Sequence, residues 1–169
     1  KTFQIDIDDF KAKITPNTKA VIINSPNNPS GVVYSEETVI AVADALKEKE
    51  SEYSHPIYLI ADEPYRELVY GDVKVPYLMN YYDDTIVCYS YSKALSLPGE
   101  RIGYIAVNPT MKDGQNVYLA ICGAGRSLGY VCAPSMFQQV VARCINAKVN
   151  VNAYLENRDI LCNALAEYG

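Results

Sequence analysis

Side chains with complementary reactive groups follow several short apolar runs of this sequence. Asp62 comes directly after one run, with Tyr65 three residues later, and Lys93 follows a second run in the order Ser-Tyr-Ser-Lys. Asn28 lies after another run, in the turn-forming sequence Asn-Asn-Pro-Ser-Gly. A lysine amine can bond covalently to an aldehyde, a carboxylate favours a protonated ring nitrogen, and amide and hydroxyl groups can donate to a ring oxygen. These residue types therefore indicate chemistry on an aromatic aldehyde.

Two more polar residues, Ser90 and Arg101, add groups that bind phosphate. The planar guanidinium of arginine matches phosphate oxygens in a fixed fork, and a serine hydroxyl adds a further donor. One ligand uses all these groups, namely pyridoxal 5'-phosphate (PLP), which carries an aldehyde, a phenolic oxygen, a ring nitrogen and a phosphate. We therefore expect PLP as the cofactor, with Lys93 bonded to the aldehyde and Asp62 at the ring nitrogen. The Asn and Tyr side chains named above would donate to the phenolic oxygen.

Four apolar runs predict the strands that would position this site: 20–23, 57–61, 85–89 and 102–107. Their continuous apolar character is typical of strands covered on both faces. Between the first two runs, Ser35 followed by two acidic residues predicts a helix start, and apolar residues then repeat at helical spacing as far as Leu46. Residues 62–84 are long enough for a second crossover, so the first three strands are predicted to be parallel.

Residues 90–101 are too short for a parallel crossover, which predicts that the fourth strand is antiparallel. The remaining segments, 111–129, 135–147 and 151–169, favour helix. The predicted fold class is α/β, a three-layer open sheet that is mostly parallel with one antiparallel strand and has helices on both faces. Ligands of such sheets bind beyond the carboxyl ends of the parallel strands. We expect residues 24–30, 62–65 and 90–93 and Arg101 to gather at that edge. Distant segments would therefore converge on one site.

The composition disfavours several other classes of function. The chain has 169 residues and a net charge of -5, which predicts one globular domain and argues against nucleic-acid binding, since that needs a surplus of Lys and Arg. Its single histidine, His55, lies in a predicted loop, and its five cysteines form no CxxC pair, so we expect neither a metal site nor a disulfide framework. The absence of a long apolar run or a secretory leader predicts a cytoplasmic protein without a membrane partner.

Three motifs resemble those of class I/II aminotransferases, the aspartate-aminotransferase-like enzymes of PLP fold type I. They occur in the family's order and spacing, at residues 24–31, 61–65 and 90–104. The resemblance implies PLP as the cofactor, an amino acid and a 2-oxo acid as substrates, and a homodimer in the parent protein. It implies catalytic roles for Lys93, Asp62 and Tyr65. The cofactor-binding residues that it implies are Asn28, Asp62, Tyr65, Ser90, Ser92, Lys93 and Arg101.

The resemblance also implies that residues 1–169 form a single truncated domain, the central part of the PLP-binding large domain. Residues 151–169 would begin the helix that leads toward a small domain. In the family, an earlier segment supplies a phosphate-binding turn and an aromatic that stacks on PLP, and the small domain supplies an arginine for the substrate carboxylate. Because neither region is in this sequence, we expect the isolated chain to bind PLP weakly and to have no meaningful transaminase activity.

Other interpretations remain open from the sequence. Related lyases and decarboxylases share the PLP-binding residues. Residues 117–122 followed by Gly-Ala-Gly-Arg-Ser-Leu-Gly at 123–129 are also similar to the glycine-rich turn of an NAD(P) domain, although no clear βαβ unit with a terminal acid follows. Purely structural interpretations are also open. Residues 27–31 could be only a turn, and residues 62–64 only the start of a helix. The chain could also be a domain that packs and associates without catalysis.

Overall fold

The computed structural model describes residues 2–168. Within them, four strands form one sheet in the order β1-β2-β3-β4. The strands are β1 (Ala20–Asn24), β2 (Tyr58–Asp62), β3 (Thr85–Ser90) and β4 (Gly103–Val107). The helices are α1 (Ile7–Lys13), α2 (Glu36–Tyr53), α3 (Tyr91–Ala94), α4 (Gly114–Ser127), α5 (Ser135–Cys144) and α6 (Val151–Ala166), with a 3₁₀ helix at Leu78–Asn80.

The strand directions are those that the sequence predicted. β1, β2 and β3 run parallel, and β4 pairs with β3 in the antiparallel sense. Each parallel strand extends one residue beyond its apolar run, to Asn24, Asp62 and Ser90. Asn24 lies opposite Asp62 in the ladder, and Ser90 lies opposite Gly103. The first polar residue after each run is therefore held by the sheet itself.

Helix α2 covers one face of the sheet and forms the main core with it. It begins where the sequence predicted, because the Ser35 hydroxyl accepts a hydrogen bond from the Thr38 amide at 3.2 Å. Side chains at helical spacing along α2 are buried against residues of β1, β2 and β3. The cluster includes Val39, Val42, Ala43 and Leu46 from the helix and Ile23, Leu59, Ala61 and Val87 from the sheet. Burial of such side chains is worth about 1.5–3 kcal/mol each, so this face holds the strand ends firmly.

The opposite face of the sheet is less covered within residues 2–168. The start of α4 approaches it at the β4 edge, where Gly114 lies against Val107. At the other edge Ile22 is 70% exposed. The start of α4 therefore contacts the second face at β4, while the rest of that face is largely open, with Ile105 of β4 52% exposed.

The connection from β2 to β3 consists of turns and the 3₁₀ helix. Arg66 holds it in place. Its guanidinium donates to Glu63 Oε2 at 3.1 Å, to the Val75 carbonyl at 2.9 Å and to the Pro76 carbonyl at 3.2 Å. This crossover, residues 63–84, contains no α-helix. The partly buried Glu63–Arg66 ion pair and the hydrogen bonds from Arg66 to two backbone carbonyls hold it together instead.

Helix α4 corrects the NAD(P) interpretation of residues 123–129. Gly123 and Gly125 lie inside the helix, and Gly129, with φ of +86°, lies just beyond its end. A dinucleotide-binding turn needs its glycines between a strand and the start of the following helix. These glycines are at the wrong end of a helix for that role. The helix itself begins at Gly114, three residues later than predicted.

No helix in the described part of the chain is both long and apolar enough to cross a membrane. Residues 2–168 also contain no group of three or more His, Cys, Asp or Glu side chains arranged to hold a metal ion. The cysteines of this part are free thiols.

Candidate active site

Asp62 and Asn24, the last residues of β2 and β1, are joined by their side chains. Asn24 Nδ2 donates to Asp62 Oδ2 at 3.2 Å and to the Asp62 backbone carbonyl at 2.9 Å. The carboxylate is half-buried, and this burial raises the pKa of Asp62 above its ordinary value. A cation beside the carboxylate would relieve that cost, because an opposite charge favours the ionised form. The site is therefore suited to a protonated ring nitrogen.

Asn28 and Tyr65 meet directly. Asn28 Nδ2 donates to the Tyr65 hydroxyl at 3.1 Å, and the Asn28 backbone amide donates to Asn24 Oδ1 at 2.8 Å. Since the phenol accepts in this contact, its own O–H hydrogen stays available to a further acceptor, as does the second N–H of the Asn28 amide. The two side chains can thus offer two donors to one oxygen atom.

The turn that carries Asn28 is built by its neighbours. Asn27 Oδ1 accepts from the Ser30 amide at 3.1 Å and from the Ser30 hydroxyl at 2.6 Å. The Gly31 amide donates to the Asn27 carbonyl at 2.8 Å, and Gly31 has φ of +72°, a conformation that favours glycine. Residues 27–31 are therefore a turn, as the structural interpretation of the sequence held, and one that also presents Asn28 to Tyr65.

Lys93 lies in the short helix α3, which begins immediately after β3. Ser90 caps this helix, since its hydroxyl oxygen accepts from the Ser92 amide at 3.2 Å and its hydroxyl donates to Ser92 Oγ at 2.7 Å. The ammonium of Lys93 is exposed and lies 5.7 Å from the centre of the Tyr65 ring. The lysine therefore approaches the same phenol that Asn28 contacts.

Gly103 brings β4 against the end of β3. A Cβ at Gly103 would collide with the backbone carbonyl of Tyr89, so no larger residue fits without moving a strand. The Tyr91 amide donates to the Ile102 carbonyl at 3.1 Å, which ties the residue that follows Arg101 to the start of α3.

Arg101 and Ser90, the two expected phosphate ligands, each form bonds within their own segment. Arg101 Nη1 donates to the Pro98 carbonyl at 2.9 Å, whereas Ser90 bonds to Ser92. Arg101 also has φ of +51°, a left-handed conformation that costs a non-glycine residue about 1–2 kcal/mol.

Asn24 and Cys88 are neighbours of Asp62 that were not assigned roles from the sequence. Cys88 lies opposite Asp62 in the ladder, and burial, followed by the Asp62 charge, raises the pKa of its thiol. The thiol is thus a neutral neighbour of the carboxylate. The sequence position of Asn24 could have identified it. A polar residue at the end of β1 lies beside the polar residue that ends the adjacent parallel strand, here Asp62.

An open cleft of about 420 Å³ adjoins Asn28 and Tyr65. It lies between the 27–31 turn and the segment that follows Tyr65, and its lining includes Val33, Leu68 and Val69. Of the candidate residues, only Asn28 and Tyr65 line this cleft. Taken together, the candidate residues offer a carboxylate, an amine, a phenol with an amide, and serine and arginine side chains. This set fits the functional groups of PLP.

Comparison with known proteins agrees with this chemistry. The family model for aminotransferase class I and II matches residues 1–169. A probable aspartate/prephenate aminotransferase of Aquifex aeolicus is 41% identical over 110 residues, which are 63% of this chain and 26% of that protein. The putative aminotransferase YugH of Bacillus subtilis is 31% identical over 176 residues, covering 100% of this chain and 42% of YugH.

A solved structure gives the same result for the fold. The crystal structure of an amino transferase from Eubacterium rectale superposes with a TM-score of 0.95 and 56% identity, over 99% of this chain and 42% of that one. The chain thus spans between 26% and 42% of the length of the relatives named here. Enzymes of the matching family depend in general on PLP. The whole-length family match and the shared fold together show that this chain belongs to the class I and II aminotransferases.

Proposed function

We propose that these residues form the central part of the PLP-binding large domain of a longer aminotransferase. The parent enzyme would transfer an amino group between an amino acid and a 2-oxo acid. One observation carries the proposal: the Tyr65 hydroxyl bonds to Asn28 while the Lys93 ammonium lies over the Tyr65 ring, so three separate segments meet at one phenol. The aminotransferase relatives favour amino-group transfer over the lyase and decarboxylase reactions that the same residues could support.

Each residue would have a distinct task toward PLP. When bound, PLP withdraws electrons from the Cα of the substrate. Lys93 would hold the aldehyde carbon and carry protons on its Nζ atom, and the Asp62 carboxylate would keep the ring nitrogen protonated. Asn28 and Tyr65 would donate to the phenolic oxygen.

The phosphate would be bound by the segments on either side of α3. Arg101 would exchange its neutral partner, the Pro98 carbonyl, for phosphate oxygens, which form stronger charge-assisted bonds with a guanidinium group. Ser90 and Ser92 would add hydroxyl donors from the start of α3.

The rest of the parent enzyme would complete the site. We infer that residues 151–169 lead toward a small domain, and that the parent is a cytoplasmic homodimer, as the family resemblance implies. The isolated chain would bind PLP weakly, because Lys93 and Arg101 are exposed here and the cleft beside Tyr65 is open. Transaminase assays on the isolated chain should give no meaningful turnover of amino-acid and 2-oxo-acid pairs, and rates typical of an intact enzyme would refute this expectation.

Chemical trapping tests the proposed site directly. The chain is incubated with PLP and treated with borohydride, which fixes the lysine–PLP bond, and the labelled peptide is mapped. Label should concentrate on Lys93, while Lys74 and Lys112, which are exposed lysines elsewhere, serve as internal controls. Asp62→Ala should abolish the preference. Label spread evenly over the lysines would contradict the proposal, as would nicotinamide binding that is lost on changing Gly123 or Gly125.

A further inference from the structure

Asn24 contacts two of the residues proposed to bind PLP. Its Nδ2 atom donates to the carboxylate and the backbone carbonyl of Asp62, and its Oδ1 atom accepts from the backbone amide of Asn28 at 2.8 Å. The side chain is partly buried between the two strand ends. One amide group therefore spans the space between the acid and the turn that carries Asn28.

The chemistry of these contacts fixes the orientation of the Asn24 amide. Nδ2 donates to two oxygen acceptors of Asp62, and Oδ1 faces the N–H donors of the Asn28 backbone and of Asn27 Nδ2. Rotating the amide by half a turn would place an oxygen against the carboxylate and an NH₂ group against the Asn28 amide. Each of these pairs is repulsive, so this orientation is strongly preferred.

We infer that Asn24 is a positioning residue, which holds the Asp62 carboxylate and the Asn28 turn in a fixed relation so that both reach the same ligand. The inference rests on the proposed function. Without Asn24, the Asp62 carboxylate would lose its side-chain hydrogen bond to β1 and could rotate about its own χ angles. The Asn28 backbone amide would lose its bond to β1, although Asn27 Nδ2 would still donate to the Asn24 backbone carbonyl.

Asn24→Asp tests whether Asn24 positions the Asp62 carboxylate, because it removes the contact with Asp62 and keeps the contact with the Asn28 turn. An aspartate keeps an oxygen acceptor for the Asn28 amide but replaces the donor toward Asp62 with a second carboxylate. Two carboxylates in one place cannot both ionise easily, so one of them takes up a proton at a higher pH than Asp62 does alone. The titratable neighbour of Asp62 on β3 is the Cys88 thiol, which stays neutral near pH 7 because its pKa is raised.

Asn17→Asp is the matched control. It adds the same charge at an exposed position of the loop before β1, where the Asn17 side chain forms no hydrogen bond with any described residue. Asn17 and Asn24 lie at opposite ends of β1, so this control should leave the acid unchanged. Both variants and the wild-type chain are compared by carboxyl-carbon NMR titration without PLP, and by borohydride trapping across a range of PLP concentrations and pH.

Asn24→Asp should add a carboxyl titration step at a higher pH than that of Asp62 in the wild type. At pH 8 it should raise the PLP concentration that half-saturates labelling of Lys93 at least tenfold. The loss should shrink at lower pH, where the paired carboxylates share a proton. Asn17→Asp should show neither effect and stay within twofold of wild type. If wild type shows no preference for Lys93, the proposed function fails and the inference fails with it. If wild type labels Lys93 but the two variants behave alike in both measurements, the inference alone is overturned.

Discussion

Tyr65 and Asn28, which lie 37 residues apart in the chain, share a hydrogen bond of 3.1 Å in which the amide donates to the phenol. The direction of this bond matters more than its strength. Because the phenol oxygen is used as the acceptor, its hydrogen is directed elsewhere, and the Asn28 amide still has one N–H to offer. A pair that bonds to itself in this way is already arranged to donate two hydrogen bonds to one ligand oxygen.

Removal of the phenol hydroxyl should therefore weaken PLP binding without unfolding the chain. Tyr65→Phe should raise the PLP dissociation constant about tenfold, which corresponds to the ~1.4 kcal/mol of one hydrogen bond to a charged acceptor. Its unfolding free energy should change by less than about 0.5 kcal/mol, since the lost bond is near the surface. PLP absorbance titrations and denaturant unfolding measure the two effects.

The control for this change is Tyr118→Phe, which removes a hydroxyl from an exposed tyrosine of α4. It should leave PLP affinity unchanged. A double-mutant cycle with Asn28→Ala should show coupling to Tyr65→Phe, because both residues act on one ligand atom. Equal affinities for Tyr65→Phe and Tyr118→Phe would count against the assignment of Tyr65.

Gly103 should not tolerate a methyl group. In Gly103→Ala the new Cβ would meet the Tyr89 carbonyl, which is held in the sheet and cannot move alone. Overpacking of this kind costs about 1–3 kcal/mol, and it would also shift the segment that carries Arg101. Gly99→Ala is the matched control, because nothing lies within 4 Å of its Cβ position. Equal denaturant midpoints for the two variants would contradict this prediction, because they would show that β4 can shift to accommodate the methyl group without loss of stability.

Much of the fold could be predicted from the sequence. Continuous apolar runs predict the strands, and the lengths of the links between them predict whether neighbouring strands are parallel or antiparallel. The short link of residues 90–101 was sufficient to identify β4 as antiparallel, and Ser35 marked the start of α2. The β2–β3 connection was harder, since it is held by Arg66 bonds to backbone carbonyls, which have no sequence pattern. Such contacts depend on tertiary structure and not on local preference.

The contact between Tyr65 and Asn28 followed from their places after parallel strands, whereas the side-chain partners of Ser90 and Arg101 did not. Ser90 caps α3 and Arg101 reaches the Pro98 carbonyl. Hydrogen bonds within a few residues compete with long-range ones, and motif spacing alone does not reveal which of them form without a ligand. The position of Asn24 at a strand end was visible in the sequence, but its contacts with Asp62 and Asn28 depend on side-chain direction, which was not.

Asp84 should make the stability of the chain depend on pH. Burial, and next the neighbouring Glu50 carboxylate, raises the pKa of Asp84 to about 6. The folded state therefore holds a proton that the unfolded chain, with an ordinary Asp pKa of about 3.9, releases. The unfolding free energy should fall as pH rises from about 4 to about 6 and then level off, by about 1 kcal/mol after allowance for solvent screening.

Asp84→Asn should remove that part of the pH dependence, since the amide does not titrate and the repulsion with Glu50 is lost. Denaturant unfolding at pH 4.5, 5.5 and 7 provides the measurement. Asp72→Asn, at an exposed loop position, should keep the wild-type slope. An unchanged slope in Asp84→Asn would show that another group holds the proton.

The ion pair between Glu63 and Arg66 should be the most sensitive point of the β2–β3 connection. The Glu63 side chain is 2% exposed and its Oε1 atom has no hydrogen-bond partner of normal geometry among the described residues, while Arg66 is 26% exposed. Burial raises the pKa of Glu63, and the Arg66 charge opposes that effect. Arg66→Met would leave a carboxylate almost alone in the core, which costs about 3–5 kcal/mol when the carboxylate stays ionised.

Because that cost is avoided when Glu63 binds a proton, the loss of stability in Arg66→Met should be greatest at high pH. With the folded pKa raised above the unfolded value of about 4.3, the unfolding free energy should decrease as pH rises from that value through the folded pKa. The double variant Glu63→Gln/Arg66→Met has no buried charge, so it should recover part of the stability at pH 8 and lose the additional pH slope. Lys74→Met, at an exposed lysine of the same connection, should change stability by less than about 0.5 kcal/mol. If the single and double variants show the same slope in denaturant unfolding between pH 5 and pH 8, then Arg66 acts through its bonds to the Val75 and Pro76 carbonyls and not through the charge of Glu63.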